Sequence, residues 1–360
     1  MYWSGILGSQ IRIPARYPLD IMQSPTHTDI SAWAPQDKVP AFRLIGEQLS
    51  KVRGLINEQL TAPAKAGDIN GLLEHIRSRS GKMIRPGLLL LAGRCYGKIT
   101  DNHIRVAAIV EMIHNATLLH DDVIDEGKQR RGLPTINSLW GNESAVLLGD
   151  FLLSRVFKMC AELEPQVANV IAAAAVRLCE GELRQVVQKH NWQLSETEYI
   201  DVITEKSAVL FSSSCLLGGL LAGASESQAQ SLADFGLNAG IAFQITDDLL
   251  DIVGDESKTG KTLGSDVDKH KLTLAVIHLL KAVDESEKNT ILNSFLDRRD
   301  SKYDKNALLE ILGRYGSLEY ARGRAREFVA AAKRALAGLK QNDAKDALIE
   351  TAEFMAGRVI

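Results

Sequence analysis

Cysteine is scarce in this chain, and no two cysteines are spaced as a pair. Cys95, Cys160, Cys179 and Cys215 lie far apart among apolar neighbours, with no CxxC. That excludes a disulfide framework or a thiolate zinc site and leaves reduced core thiols, as expected of a cytoplasmic protein. Charge of one sign is also lacking: 42 Lys+Arg stand against 45 Asp+Glu, a formal net charge of −3. Such a balance supplies no global attraction for nucleic acid or an anionic membrane, and no nucleic-acid partner is expected. An anionic ligand must therefore be held by a local cluster of charge. Long apolar runs are missing too, since the most apolar stretch, Ala208 to Ala224, is interrupted by serines and glycines. It is too short and too polar to span a membrane and reads as a buried helix.

What is present is apolar residue enough for a large core, 45% of 360 residues, arranged at helical spacing. Five of the nine prolines fall within the first 40 residues, a segment with neither a sustained period nor the features of a signal peptide. Residues 1–40 read as a loose arm, and Met22 is an alternative start. Residues 41–360 read as one all-α domain, a single large bundle of long helices around a central cavity. Apolar residues at i, i+3, i+4 and i+7 predict helices near 41–61, 68–78, 84–97, 101–126, 142–162, 166–189, 195–222, 226–253, 267–285, 286–297, 304–313, 317–339 and 343–357. Breaks fall at clusters such as the GLPTINS that starts at Gly132, and alternating strand patterns are absent.

One short acidic pattern occurs twice. Asp121-Asp122-Val123-Ile124-Asp125 and Asp247-Asp248-Leu249-Leu250-Asp251 are both DDxxD, and each ends an apolar helical run. Positions i and i+4 share a helix face, so Asp121 with Asp125, and Asp247 with Asp251, aim their carboxylates together. Stacked like charges near a helix C-terminus cost stability. One copy would be read as a solvated helix end; two matching copies ask for a ligand. Carboxylates at this spacing suit Mg²⁺, which takes one or two protein carboxylates and completes its shell with water and phosphate oxygens. Lys82 and Arg85, within GKMIRP, lie three apart at a predicted helix start, where free N–H groups already favour anions. Arg130 and Arg131 follow the first acidic motif, and Lys261 and Lys271 follow the second. Lys206 interrupts an apolar helix, where an unpaired charge would be costly, so it is expected to face a polar cavity.

GKMIRP, HNATLLHDDVID, RRGLPT, Glu205-Lys206-Ser207 and FQITDDLLDIVGD…TGKTLGSDVDKHK together resemble the trans-isoprenyl diphosphate synthases, of long-chain type. The resemblance spans about residues 45 to 357 and keeps the motifs in the family's order. It implies a homodimer with the two acidic motifs facing across a cavity that binds several Mg²⁺ ions. It further implies that Asp121, Asp125 and Asp247 are the chief metal ligands, with Asp122, Asp248 and Asp251 assisting. Lys82, Arg85, His114 and Arg131 would bind isopentenyl diphosphate. Arg130, Lys206, Ser207, Gln244, Lys261 and Lys271 would hold the allylic diphosphate, and Gln185 would line the pocket. Ser207 replaces a common threonine and keeps its hydroxyl.

The implied reaction is a head-to-tail condensation of isopentenyl diphosphate with an allylic prenyl diphosphate. Breaking the allylic C–O bond leaves a carbocation and a diphosphate of growing charge, which cations would stabilise. His114 and His120 read as polar binders rather than bases, and contact with a membrane surface would come only through the product. Competing readings leave motifs unused. A class I terpene cyclase or head-to-head synthase does not need GKMIRP, and a phosphohydrolase suggested by His120-Asp121 does not need the second DDxxD. A non-catalytic subunit of a heteromeric synthase would be expected to have lost a motif. For product length, the family closes its tunnel with bulky aromatics four or five positions before the first aspartate. Here those positions are Thr117 and Ala116, which favours a product of about heptaprenyl to nonaprenyl length over a geranylgeranyl one. Ala116→Phe is expected to shorten the product, as read by chromatography; an unchanged product spectrum would place the floor of the tunnel elsewhere.

Overall fold

In the computed structural model, residues 39–61, 69–78, 81–130, 132–254, 271–296 and 305–357 are described here. Of the expected arm, residues 1–38 lie outside them. Val39 is already fully buried, and a 3-10 turn over Pro40–Ile45 leads into α1 (Gly46–Gln59). There follow α2 (Ile69–Ser78), α3 (Ile84–Arg94), α4 (Asp101–Ile124), a hairpin of β1 (Gln129–Arg130) and β2 (Leu133–Pro134), α5 (Ile136–Cys160) and α6 (Pro165–Val187). A composite helix runs through α7 (Glu196–Ile203), a π-turn (Thr204–Ala208) and α8 (Val209–Leu221), and after a turn at Gly223 the separate α9 (Glu226–Val253) follows. The chain then forms α10 (Leu274–Ala282), α11 (Glu285–Ile291) with a π-turn at Leu292–Leu296, α12 (Lys305–Arg314), α13 (Ser317–Ala335) and α14 (Asp343–Ala356). The fold is all-α.

Helices that are apolar on every side end up in the middle, because only other helices can cover them. On α4, Val106 through Val110, Met112, Ile113 and Ala116 are buried to 2% exposure or less. α4 lies between α3 and α5, α8 packs against both α3 and α9, and α13 covers the other side of α9. Glycines set the closest approaches. A Cβ on Gly218 would lie 2.1 Å from the Leu89 carbonyl oxygen, and one on Gly240 would lie 2.8 Å from Ala208 Cα. Helix starts follow the side-chain rules: Ser195 with Glu198 and Ser225 with Gln228 form capping boxes for α7 and α9.

Four boundaries differ from the periodicity. α5 begins at Ile136 rather than near 142, because Thr135 caps the Ser138 amide and Gly141 (φ 85, ψ 162) lets the helix bend and resume. The GLPTINS break holds half of an antiparallel ladder in which Arg130 faces Leu133, two residues per strand and too short to register as alternation. The expected helix 195–222 is broken in register by the π-turn. The helix expected from 267 begins at Leu274, since Thr273 is extended, and 267–270 lie outside the described residues. Among the described residues no helix is long and apolar enough to cross a membrane.

Candidate active site

Both acidic motifs sit at the C-terminal ends of central helices. Asp121 and Asp122 close the last turn of α4, and Asp125 is its C-cap, its amide donating to the Asp121 carbonyl at 2.8 Å. Carboxylates here oppose the helix dipole by about 0.3–1 kcal/mol each, and each is answered by a cation. Lys271 Nζ donates to both oxygens of Asp125 at 2.9 Å. Arg130 Nε donates to Asp122 Oδ1 at 2.7 Å, and Asp122 is only 3% exposed. Lys206 Nζ lies 4.0 Å from Asp121 Oδ2. The hairpin that carries Arg130 is tied down around the same turn. Asn137 Nδ2 donates to the carbonyls of Asp122 at 3.0 Å and Gly127 at 3.1 Å. At its far end, His75 Nε2 meets the Pro134 carbonyl at 3.0 Å.

The π-turn is the hinge of the arrangement. Its extra residue per turn lets consecutive side chains leave in directions an α-helix would not give, a feature often found at functional sites. Lys206 reaches the first motif and Glu182 Oε1, 2.6 Å away. Ser207 reaches the second: its Oγ donates to Gln244 Oε1 at 2.8 Å, and Gln244 Nε2 donates to Asp248 Oδ1 at 2.7 Å. Tyr199, one turn before the π-turn, donates its hydroxyl to Asp248 Oδ2 at 2.6 Å. Two adjacent residues thus connect helices that end in the two DDxxD motifs. With its amide oxygen turned toward them, Gln185 on α6 accepts from Lys206 and Lys271 Nζ, each at 3.2 Å.

Electrostatics here are those of a buried, paired cluster. Burial pulls the Lys206 ammonium down, but Asp121 and Glu182 outweigh it and hold its pKa above the ordinary lysine value, so it stays charged. Burial pushes the Glu182 carboxyl up and nearby Asp121 adds to this, against the pull of Lys206. The basic pair of α3 lies at a different edge. Met83 is the N-cap in a left-handed conformation (φ 52). Arg85 Cζ stands 4.3 Å from the centroid of the Phe211 ring, and Lys82 Nζ 5.3 Å from that of Phe354 on α14. Phe211 in turn packs on Phe243, centroids 5.4 Å apart, next to Gln244. The α3 start is thereby joined to the second-motif helix.

Among the described residues no three Asp, Glu, His or Cys side chains gather closely enough to hold a metal unaided. All-oxygen donors in ones and twos fit Mg²⁺ bridged to a phosphate better than a protein cage. The family model for polyprenyl synthetase matches residues 67–312. The chain belongs to the polyprenyl synthetase family. It is a trans-isoprenyl diphosphate synthase, a prenyltransferase that elongates prenyl chains head to tail. It is 35% identical over 316 residues to the octaprenyl diphosphate synthase of Escherichia coli, covering 88% of this chain and 97% of that one. It is 36% identical over 290 residues to the short chain isoprenyl diphosphate synthase of Methanothermobacter thermautotrophicus, covering 79% of this chain and 89% of that one. The structure resembles that of a polyprenyl synthase from Caulobacter crescentus complexed with calcium and isoprenyl diphosphate, with a TM-score of 0.84 and 33% identity. That match covers 89% of this chain and 97% of the other.

In this synthase, Asp121, Asp122, Asp125, Arg130, Gln185, Lys206 and Lys271 form one connected cluster, and Ser207, Gln244 and Asp248 form a second beside it. Asp247 and Asp251 are half-buried on the last turns of α9, and His114 is half-buried on α4. His120 meets the Val146 carbonyl at 3.2 Å, a hydrogen-bonded helix residue. Ala116 is fully buried, and half-buried Thr117 bonds the His114 carbonyl at 2.8 Å. Arg131 and Lys261 lie outside the described residues. The sequence reading passed over Glu182 and Tyr199. Glu182 and Gln185 continue the buried stripe Val167, Ile171, Ala174, Leu178 and Gly181 of α6, so polar residues on an apolar stripe were the available signal. Tyr199 left no such trace. Tyr199→Phe removes the 2.6 Å hydrogen bond to Asp248, and is expected to lower prenyl transfer roughly tenfold, as such supporting contacts do. Radiolabelled isopentenyl diphosphate incorporation checks this.

Proposed function

We propose that this chain condenses isopentenyl diphosphate with an allylic prenyl diphosphate, with Mg²⁺, into a long all-trans polyprenyl diphosphate of about heptaprenyl to nonaprenyl length. The observation that carries the proposal is the π-turn, whose successive residues Lys206 and Ser207 lead one to Asp121 and the other, through Gln244, to Asp248. Asp121, Asp125 and Asp247 would hold the metal, with Asp122, Asp248 and Asp251 assisting. When bound, Mg²⁺ supplies positive charge that offsets what develops on the departing diphosphate. Arg130, Lys206, Ser207, Gln244, Lys261 and Lys271 hold that diphosphate from the protein side. Lys82, Arg85, His114 and Arg131 hold isopentenyl diphosphate at the α3 edge, so that its double bond meets the allylic carbon. In this reading Lys271 and Arg130, now paired with Asp125 and Asp122, turn toward the diphosphate once its charge is present.

Water must be kept from the cation, and the apolar sides of α4, α8 and α9 serve that purpose. The small residues Ala116 and Thr117 support the long product, since they stand where the family's shorter-product members carry bulky aromatics. We also infer a homodimer. Leu147 (67% exposed) and Phe157 (70%) on α5, with Leu183 (67%) and Val187 (82%) on α6, leave bulky apolar side chains in the open. A set of this kind is characteristic of a covered protein surface. Its cytoplasmic placement rests on the reduced thiols noted above.

Two measurements test the proposal. The purified chain, given farnesyl diphosphate, isopentenyl diphosphate and Mg²⁺, is expected to make a long polyprenyl diphosphate. Asp121→Ala should abolish that product with an unchanged circular dichroism spectrum, and near-normal turnover by the variant would remove the metal assignment. Light scattering is expected to return about twice the chain mass of 39.4 kDa. A monomer would remove the dimer.

A further inference from the structure

We propose that Glu182 is a positioning residue that keeps Lys206 off Asp121, so that the first acidic motif stays open to its cation. The inference rests on the assignment of Asp121 as a metal ligand. Of the cations described at this motif, Lys271 and Arg130 lie directly against its carboxylates, Asp125 at 2.9 Å and Asp122 at 2.7 Å. Lys206 is held closest from outside the motif. Its Nζ is 2.6 Å from Glu182 Oε1 and 4.0 Å from Asp121 Oδ2, and Glu182 belongs to neither DDxxD.

The backbone places Glu182 there. A Cβ on the preceding residue, Gly181, would lie 2.4 Å from Lys206 N and 2.9 Å from Glu205 C, so α6 and the π-turn touch main chain to main chain. Arg184 Nη2 and Glu205 Oε2, 3.4 Å apart, link the same two elements. One turn beyond Glu182, Gln185 gives Lys206 a neutral acceptor at 3.2 Å. The ammonium therefore has three acceptors in reach, and the carboxylate that holds it closest is the one with no proposed part in cation binding. Lys206, Glu182 and Asp121 are each less than a fifth exposed in their side chains, so water screens their charges weakly. Take the charge off Glu182, and the nearest anion left for Lys206 is Asp121. An ammonium settled there would compete with Mg²⁺ for the same oxygens.

The test is calorimetric titration of inorganic diphosphate into the full-length chain over a series of Mg²⁺ concentrations. Glu182→Gln keeps the shape and an acceptor but removes the charge. It is expected to raise the Mg²⁺ needed for half-maximal diphosphate binding roughly tenfold, with thermal unfolding near that of the wild type. Glu182→Asp, which keeps the charge on a shorter arm, should shift it less; this variant carries the test alone if Glu182→Gln fails to fold. In a Lys206→Ala background, Glu182→Gln should shift the Mg²⁺ requirement no further. An unchanged requirement in Glu182→Gln overturns the inference. So does a full shift that persists without Lys206, since Glu182 would then act only by adding negative charge. Diphosphate binding by the wild type that ignores Mg²⁺ would instead remove the metal assignment, and this inference with it.

Discussion

A buried lysine cannot be left alone in a protein interior, and the centre of this molecule is organised around satisfying one. Lys206 has Glu182 at 2.6 Å, Gln185 at 3.2 Å and Asp121 at 4.0 Å. Breaking a buried pair of this kind typically costs about 3–5 kcal/mol, because the remaining charge is stranded. The requirement fixes the crossing of α6 with the π-turn, and that crossing needs Gly181 to have no side chain. α8 and α9 then follow, packed through Gly236 and Gly240 against the backbone that begins at Ala208. Charge, small residues and helix order are thus one constraint seen at three scales.

The acidic motifs illustrate how a locally unfavourable choice is tolerated. Three carboxylates near the end of α4 work against its dipole and against one another. Each is matched by a cation from elsewhere in the chain: Arg130 from the hairpin, Lys206 from the π-turn and Lys271 from beyond the second motif. Such an arrangement is balanced but not inert. A ligand that brings both strong positive and strong negative charge can exchange partners with every member, which fits a family that handles diphosphates.

Much of this was legible in the residues. The helical period exposed the bundle, the repeated DDxxD marked both site helices, and the lysine inside an apolar run marked the point between them. The parts that escaped notice depend on tertiary contact rather than pattern. Glu182 stands out only as a polar residue on the apolar stripe of α6, its partner hidden until α6 is laid on the π-turn, and Tyr199 finds Asp248 across 49 positions of chain. Gly141 hid the true start of α5, since a glycine beside an asparagine reads as a break while the fold uses it as a bend. The hairpin at Arg130 was too brief to show a strand period.

The π-turn at Thr204–Ala208 has a consequence for how such a site can change. Because a π-turn takes up one extra residue by widening a single turn, deleting one residue from it would restore a regular helix, leaving the flanking segments close to their present faces but re-aiming the side chains of the turn itself. Lys206 and Ser207 could then no longer look toward their separate aspartates. Drift in the length of this segment is therefore closed off, while side chains around it remain free to vary, as Ser207 already does.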